Sequence, residues 1–337
     1  MNPEYPIWGD KPYYSLNAYC QNIYHEKLYK IALDAGFTCP NRDGTLDTRG
    51  CIFCSSGGSG DFAVKTFHSN TEPQNLAARK PPAFFCTKSI DTQIKEGLSL
   101  FRDKKTGNRF IAYFQAYTNT YGPVSYLEQI YNEALSNPAI AGISIATRPD
   151  CLSKECLELL SSLQQKYPAK FIWVELGLQT MHETTADFIR RGYSLSVFES
   201  AMHKLRDCQI PVIVHVILGL PNETDIMQYE TISYLNQFLP FGIKLQLLHI
   251  LKGTDLAAYY QNPKNTYEPL TLEHYLTLLI GCIERLSPDI VIHRVTGDGP
   301  KNLLIAPTWS LNKRNVLNSL HKQMRTTNSY QGKKFNS

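Results

Sequence analysis

The chain has 337 residues, 43% hydrophobic and 19% charged, which is enough for one large domain or two ordinary ones and excludes a disordered composition. The formal net charge of +4 tolerates an anionic partner without requiring one. Residues 1–10 carry prolines and acids where a secretory signal would have a basic start and an apolar run, and the longest apolar stretch, 210–220, is interrupted by His215 and too short for a bilayer; a cytoplasmic protein with no membrane partner is expected.

Along the chain, β-rich runs at 27–35, 109–117, 141–147, 170–180, 210–221 and 242–251 alternate with segments of helical spacing. One such segment holds Leu127, Ile130, Tyr131, Ala134 and Leu135, and another Leu157, Leu160 and Leu163. Strand–helix alternation reads as repeated βαβ units around a parallel sheet, and strands apolar on both faces suit one that is covered on both sides. Six units fit an α/β fold that is either an incomplete barrel or a doubly wound sheet. Both place the ligand site at the carboxyl ends of the strands.

Polar residues gather at those ends: Gln115-Ala-Tyr-Thr-Asn-Thr120, Thr147-Arg-Pro-Asp150, Glu175-Leu-Gly-Leu-Gln-Thr180, the run from His215 to Glu223, and His249-Ile-Leu-Lys-Gly-Thr254. One polar strand end is an ordinary turn or helix cap. Five on one inferred face point to a bound ligand. Residues 71–82, with prolines and little periodicity, read as a loop. From Leu311 onward the chain carries Lys313, Arg314, Lys322, Arg325, Lys333 and Lys334 and no acid, while Val316, Leu317, Leu320 and Met324 keep helical spacing. That pattern suits a docked amphipathic helix with a solvated basic face, or a nucleic-acid contact.

Of nine cysteines, Cys20, Cys86, Cys151, Cys156, Cys208 and Cys282 are scattered among apolar or helical residues and read as buried small hydrophobes. Cys39, Cys51 and Cys54 are grouped, in Gly36-Phe-Thr-Cys-Pro-Asn-Arg-Asp-Gly44 and Gly50-Cys-Ile-Phe-Cys54, ahead of Gly57-Gly-Ser-Gly-Asp-Phe62. Soft thiolates select zinc or iron–sulfur clusters. Structural zinc needs four ligands, so it would have to recruit a distant residue such as Cys20, His25 or His68. Three thiolates on a four-iron cube leave one iron open to a small molecule, whereas an electron-transfer cluster has a fourth cysteine.

With these residues the chain resembles the radical S-adenosylmethionine (radical SAM) superfamily, and within it the YtqA/YhcC-type subfamily, related to the radical domain of elongator-type tRNA enzymes. The resemblance runs from about Tyr13 to Lys313. It rests on the cysteine segments, Tyr113-Phe-Gln-Ala-Tyr-Thr-Asn-Thr-Tyr121, Thr147-Arg-Pro-Asp150, Glu175-Leu-Gly-Leu-Gln179, Leu218-Gly-Leu-Pro221, Leu251-Lys-Gly-Thr254, and His293-Arg-Val-Thr-Gly-Asp298 with Pro307 and Trp309. The eleven residues between Cys39 and Cys51 are typical of this subfamily.

The resemblance implies a partial (β/α)6 TIM-like barrel with a C-terminal extension. We expect an N-terminal extension over 1–26, the barrel over 27–295 and the extension with its basic tail over 296–337. It further implies a [4Fe–4S] cluster on Cys39, Cys51 and Cys54, S-adenosylmethionine chelating the open iron, and a 5′-deoxyadenosyl radical that takes hydrogen from the substrate. Phe53 would pack near the adenine. Gln115, Thr118 and Asn119 would meet the methionyl amine and carboxylate. Glu175 and Gln179 would take the ribose hydroxyls, Gly219 would let backbone approach the adenine, and Arg148 would pair with the cofactor carboxylate or an anionic substrate group. Lys252, Arg294 and Asp298 are candidates to face the substrate.

The resemblance points to tRNA as substrate, with the 5-carboxymethylaminomethyl group of wobble uridine converted to 5-aminomethyl and flavodoxin or ferredoxin as electron donor. A radical enzyme acting on a small metabolite or tetrapyrrole is one alternative. A zinc-stabilised RNA-binding protein without catalysis is the other.

Overall fold

Strands that are apolar on both faces need cover on both sides, and the fold supplies it. The structure is a computed structural model describing residues 8–58, 88–101, 107–297 and 299–335. The elements are α1 (Leu16–Tyr24), β1 (Tyr29–Leu33), α2 (Ile90–Ser99), β2 (Phe110–Phe114), α3 (Val124–Ser136), β3 (Ile140–Thr147), α4 (Lys154–Lys166), β4 (Phe171–Gln179), α5 (Glu183–Phe188), α6 (Leu195–Asp207) and β5 (Val212–Leu218). Then follow α7 (Asp225–Asn236), β6 (Gly242–Leu247), β7 (Ile250–Leu251), α8 (Asp255–Gln261), α9 (Leu272–Arg285), β8 (Val291–Arg294), β9 (Leu304–Ala306) and α10 (Lys313–Thr326). The helices start where side chains satisfy orphan amides: Ser15 accepts from Ala18, Ser153 from Cys156, Thr224 from Met227 and Thr271 from His274.

The main sheet runs β1-β2-β3-β4-β5-β6-β8, parallel at every pairing. All six expected strands are present. A seventh, β8, joins the far edge, so the partial barrel has one strand more than the sequence suggested. The run expected at 242–251 divides: β6 ends at Leu247, and β7 leaves the sheet to pair antiparallel with β9.

Contacts across the sheet measure its curl. Lys30 on β1 reaches Glu175 on β4 at 2.6 Å, and Lys244 on β6 reaches the Tyr113 hydroxyl on β2 at 3.0 Å. In a flat sheet those strand pairs would lie about 14 and about 19 Å apart, at ~4.8 Å per step. The sheet is therefore a half-barrel with its inner face turned on itself. Outside, β-strand residues such as Phe114, Ile145 and Val214 pack with Leu127, Leu160 and Leu205 of the helices in one apolar core.

The ends of the polypeptide close the barrel floor. Ile292 N–H donates to the Tyr14 carbonyl at 2.7 Å, bringing α1 beneath the inward side chains Ile111, Trp173 and Ile213. Tyr19 of α1 meets Trp173 and Phe241 edge to face. Gln331 then ties the far end to the near one. Its N–H donates to Pro12 O, its Oε1 accepts from Tyr14 N, and its Nε2 donates to Ser287 O and Ile290 O.

The tail forms α10, whose Val316, Leu320 and Met324 enter the main core while Lys313, Arg314, Lys322 and Arg325 stay exposed. Cys20, Cys156 and Cys282 are buried; Cys151 and Cys208 are only partly so. The loop expected at 71–82, Cys86 and Asp298 lie outside the described residues. Among the described residues no helix is long and apolar enough to cross a membrane.

Candidate active site

The residues from Cys39 to Cys54 fold back so that the first cysteine and the last pair share one wall. Leu46 and Asp47 both donate to the Pro40 carbonyl, and Gly50 N–H to Asn41 O at 2.6 Å. Arg42 then spans the loop, donating through Nη2 to Cys54 O at 2.9 Å and Ser55 O at 2.6 Å. Gly50 is needed twice over: its φ is +77°, and a Cβ would lie 2.8 Å from Arg42 Nε. Ile52 anchors the second cysteine segment, donating to Ile189 O and accepting from Leu256 N.

Cys39, Cys51 and Cys54 line one cavity of ≈ 270 Å³ at the carboxyl ends of the strands. Their surroundings are electropositive. Asn41 Nδ2 lies 3.5 Å from Cys51 Sγ, held by the carbonyls of Arg190 and Arg191. Arg148 Nη1 lies 4.0 Å from Cys39 Sγ. The Cys51 thiol is held below the usual range, first by a hydrogen bond from Cys54, then by Asn41, Arg148 and Arg42; Cys54, the donor of that bond and buried, is pushed up. Three clustered sulfurs ringed by an amide and two guanidiniums suit a group whose thiolate shell is negative. Among the described residues, no three His, Cys, Asp or Glu side chains converge closely enough for a single metal ion.

The same cavity takes in Phe53, Gln115, Thr118, Arg148, Glu175, Gln179 and Arg294. Gln179 sits at a strand irregularity with φ +68°, and its buried Oε1 has no hydrogen-bond partner. A buried acceptor left without a donor beside a cavity has room for one from a water or a ligand. Arg148 is committed: Nε and Nη2 grip both Asp150 oxygens at 2.9 and 2.7 Å, Nη1 donates to Arg191 O, and the guanidinium lies over the Tyr193 ring. Burial lowers its pKa, but the Asp150 pair more than reverses that. It braces the cysteine pocket.

Four expectations change. Glu175 is 1% exposed, and its carboxylate accepts from Lys30 and Ser144 on one oxygen and from His215 and Lys244 on the other, so it is not available to ribose hydroxyls. Burial would raise its pKa, but Lys244, Lys30 and His215 hold it well below the carboxylate range. Asn119 is buried away from the cavity, donating to Ala146 O. Gly219 does not line the cavity either. Its φ is +86° and a Cβ would meet Leu270, which explains the glycine without an adenine. Lys252 is exposed off the cavity, its backbone bonded to Leu303 O. Asp298, the remaining substrate-facing candidate, lies outside the described residues.

Sequence reasoning did not single out Lys30 and Lys244, and it placed His215 at a polar strand end without pairing it to Glu175. It also missed Asn41 and Tyr193, which shape the cysteine pocket. A signal existed for the lysines: a cation inside a strand buried on both faces must have a buried partner.

The Radical SAM superfamily profile matches residues 48–235, and that of the Radical_SAM C-terminal domain matches 240–326. The Bacillus subtilis protein YtqA is 39% identical over 326 residues, 97% of this chain and 94% of that one. The Escherichia coli protein YhcC is 32% identical over 290 residues, covering 86% and 85%. Among solved structures, the archaeal Methanocaldococcus infernus Elp3 lacking its N-terminus superposes with a TM-score of 0.63 at 13% identity. That match covers 90% of this chain and 64% of the Elp3 chain, and it shows a shared fold.

Proposed function

Because the chain belongs to the radical SAM superfamily, in the group that includes YtqA and YhcC, we propose that it is the enzyme that remodels the C5 side chain of wobble uridine in tRNA. The family's enzymes use a [4Fe–4S] cluster and S-adenosylmethionine, which rules out the zinc-stabilised, non-catalytic alternative. In this reading Cys39, Cys51 and Cys54 hold the cluster, and the 5-carboxymethylaminomethyl group is converted to 5-aminomethyl. The observation that carries the site is the meeting of three thiols and the orphaned Gln179 acceptor in one cavity at the strand ends.

When bound, the cluster and S-adenosylmethionine supply reductive cleavage of the sulfonium and hydrogen abstraction. The chain's own residues do the rest. Asn41, Arg42 and Arg148 fix the cysteine loop and offset thiolate charge. Gln115 and Thr118 orient the methionyl end, Gln179 Oε1 accepts a cofactor hydroxyl or ammonium, and Phe53 covers the adenine. Ile189, Ile217 and Leu248 make the apolar wall that keeps water from the reacting centre. The exposed cations of α10 suit an RNA backbone. A flavodoxin or ferredoxin suits the electron supply.

Two measurements test the reading. Anaerobic reconstitution with iron and sulfide gives about four irons per chain, and Cys39→Ala, Cys51→Ala and Cys54→Ala each lose them. Mass spectrometry of tRNA nucleosides shows 5-carboxymethylaminomethyluridine accumulating in cells without the chain. Unchanged wobble uridines there would reject tRNA and favour a small-molecule substrate.

A further inference from the structure

Glu175 on β4, His215 on β5 and Gln246 on β6 form a chain of hydrogen bonds that ends on the wall of the cysteine cavity. His215 pairs in register with Lys244, and Ile217 with Gln246. Gln246 therefore lies on the same inward face as Lys244, one step nearer the strand ends. His215 Nε2 is 2.7 Å from Glu175 Oε2, and His215 Nδ1 is 3.4 Å from Gln246 Nε2.

The order of protons along this chain is set from its buried end. Burial opposes the charge on Glu175, but Lys244, Lys30 and His215 outweigh it and keep the carboxylate ionised, so it only accepts. His215 must place a proton on Nε2 to meet it. Burial, and then Lys244, hold the imidazole neutral, at about 4, so that Nδ1 is bare and accepts. Gln246 meets a bare Nδ1 only with its amide nitrogen. The amide is thus held against flipping, with Nε2 toward β5. One Nε2 hydrogen goes to His215. The other, and Oε1, have no partner among the described residues, and half-buried Gln246 lines the cavity.

An amide with one donor and one acceptor side by side is the complement of a cyclic imide, whose N–H stands beside a carbonyl. The surroundings suit the rest of such a ring: Ile217, Leu248 and Leu251 share the cavity wall and give apolar contact for a flat face.

We propose that Gln246, oriented by His215, reads the imide edge of the substrate's uracil ring. Oε1 accepts from N3–H, and the second Nε2 hydrogen is donated to the carbonyl at position 4. The inference rests on the proposed function for the ring being a uracil, and adds how that ring is chosen. Uracil and cytosine carry donor and acceptor in opposite order along the edge from position 4 to position 3. An amide that flips accepts both. One held by His215 takes cytosine only with the ring turned over, which carries C5 to the opposite side. Gln246 is then a specificity-determining residue, and His215 and Glu175 are positioning residues that act through it.

The test is equilibrium binding to the anaerobically reconstituted protein with S-adenosylmethionine present. The probes are three anticodon stem-loop RNAs that differ only in uridine, 3-methyluridine or cytidine at the wobble position, and the same three free nucleosides. The wild type is expected to bind uridine about tenfold tighter than either of the others, since both leave the amide mispaired. Gln246→Leu brings the three to equal affinity. Gln246→Glu keeps the acceptor for N3–H and still rejects 3-methyluridine. His215→Phe frees the amide to flip, which brings cytidine to within about twofold of uridine while 3-methyluridine stays rejected. A merely structural His215 would leave that ratio unmoved. An iron content of about four per chain in each variant reports folding.

Equal binding of the three probes by the wild type, binding of none, or an unchanged preference in Gln246→Leu overturns the assignment, while the nucleoside analysis of cellular tRNA still decides the wobble-uridine reading. An unchanged uridine-to-cytidine ratio in folded His215→Phe overturns the held amide. A Gln246-dependent preference among the free nucleosides, with no stem-loop bound, upholds the uracil subsite and removes tRNA as the substrate.

Discussion

His215 gives the buried charge cluster a measurable signature. It stands on β5 with Nε2–H donating to Glu175 Oε2 at 2.7 Å and Nδ1 facing Gln246 Nε2 at 3.4 Å. Burial, and then Lys244, depress its pKa; Glu175 pulls the other way and loses, leaving a value of about 4 against the usual 6.5. Between those values the unfolded chain binds a proton that the folded chain refuses. Stability therefore rises with pH across this window and is lost on acidification. At ~1.4 kcal/mol per pH unit the full span is worth about 3 kcal/mol, of which about 2 falls between pH 7 and pH 5. His215→Gln keeps an amide donor toward Glu175 and cannot titrate. Urea unfolding followed by circular dichroism at the two pH values gives the comparison, with other groups cancelling in the difference. Wild type should lose about 2 kcal/mol more than the variant on going to pH 5. Equal losses would mean that His215 titrates normally and that the cations beside it exert no net field.

Gln179→Ala should weaken S-adenosylmethionine binding by about 1 kcal/mol, roughly fivefold, in calorimetric titration, while leaving the thermal midpoint unchanged or higher, since an orphaned acceptor is removed. Gly142→Ala should cost about 1–3 kcal/mol in denaturant unfolding, because the added methyl meets the Phe171 ring and carbonyl on β4. Leu320→Ala, at a fully buried position of α10, should cost about 2–5 kcal/mol; a value near zero would show that the tail is not docked on the core.

Much of the barrel was legible because its strands are long apolar runs: β3 and β4 come within a residue or two of expectation. β8 escaped because it has four residues and ends in His293 and Arg294, which carry no apolar pattern. The 242–251 run looked continuous because periodicity cannot register that β7 changes sheet after Leu248 and His249. The grouping of Cys39, Cys51 and Cys54 was legible in their spacing, and the fold brings them to one cavity; the cluster itself came from the family resemblance. The companions of Glu175 were not, because Lys30, His215 and Lys244 sit on three strands and only the curl of the sheet brings them to one carboxylate. Reading Glu175 as a ribose ligand used its strand-end position correctly and failed to count the donors that tertiary folding would deliver.

The clasp at the barrel floor has a consequence for synthesis. Tyr14 and Gln331 are hydrogen-bonded across 317 positions of sequence, and α1 is held in place by β8, one of the last strands to be made. At ~5–20 residues per second a ribosome needs roughly a quarter of a minute to a minute to cover that interval. By itself α1, nine residues long, is too short to persist as a helix, and its Tyr19 and Tyr24 gain Phe171 and Trp173 only once β4 has been made. The floor of the barrel is thus sealed by contacts of very long sequence separation, the kind whose loop-closure cost slows folding.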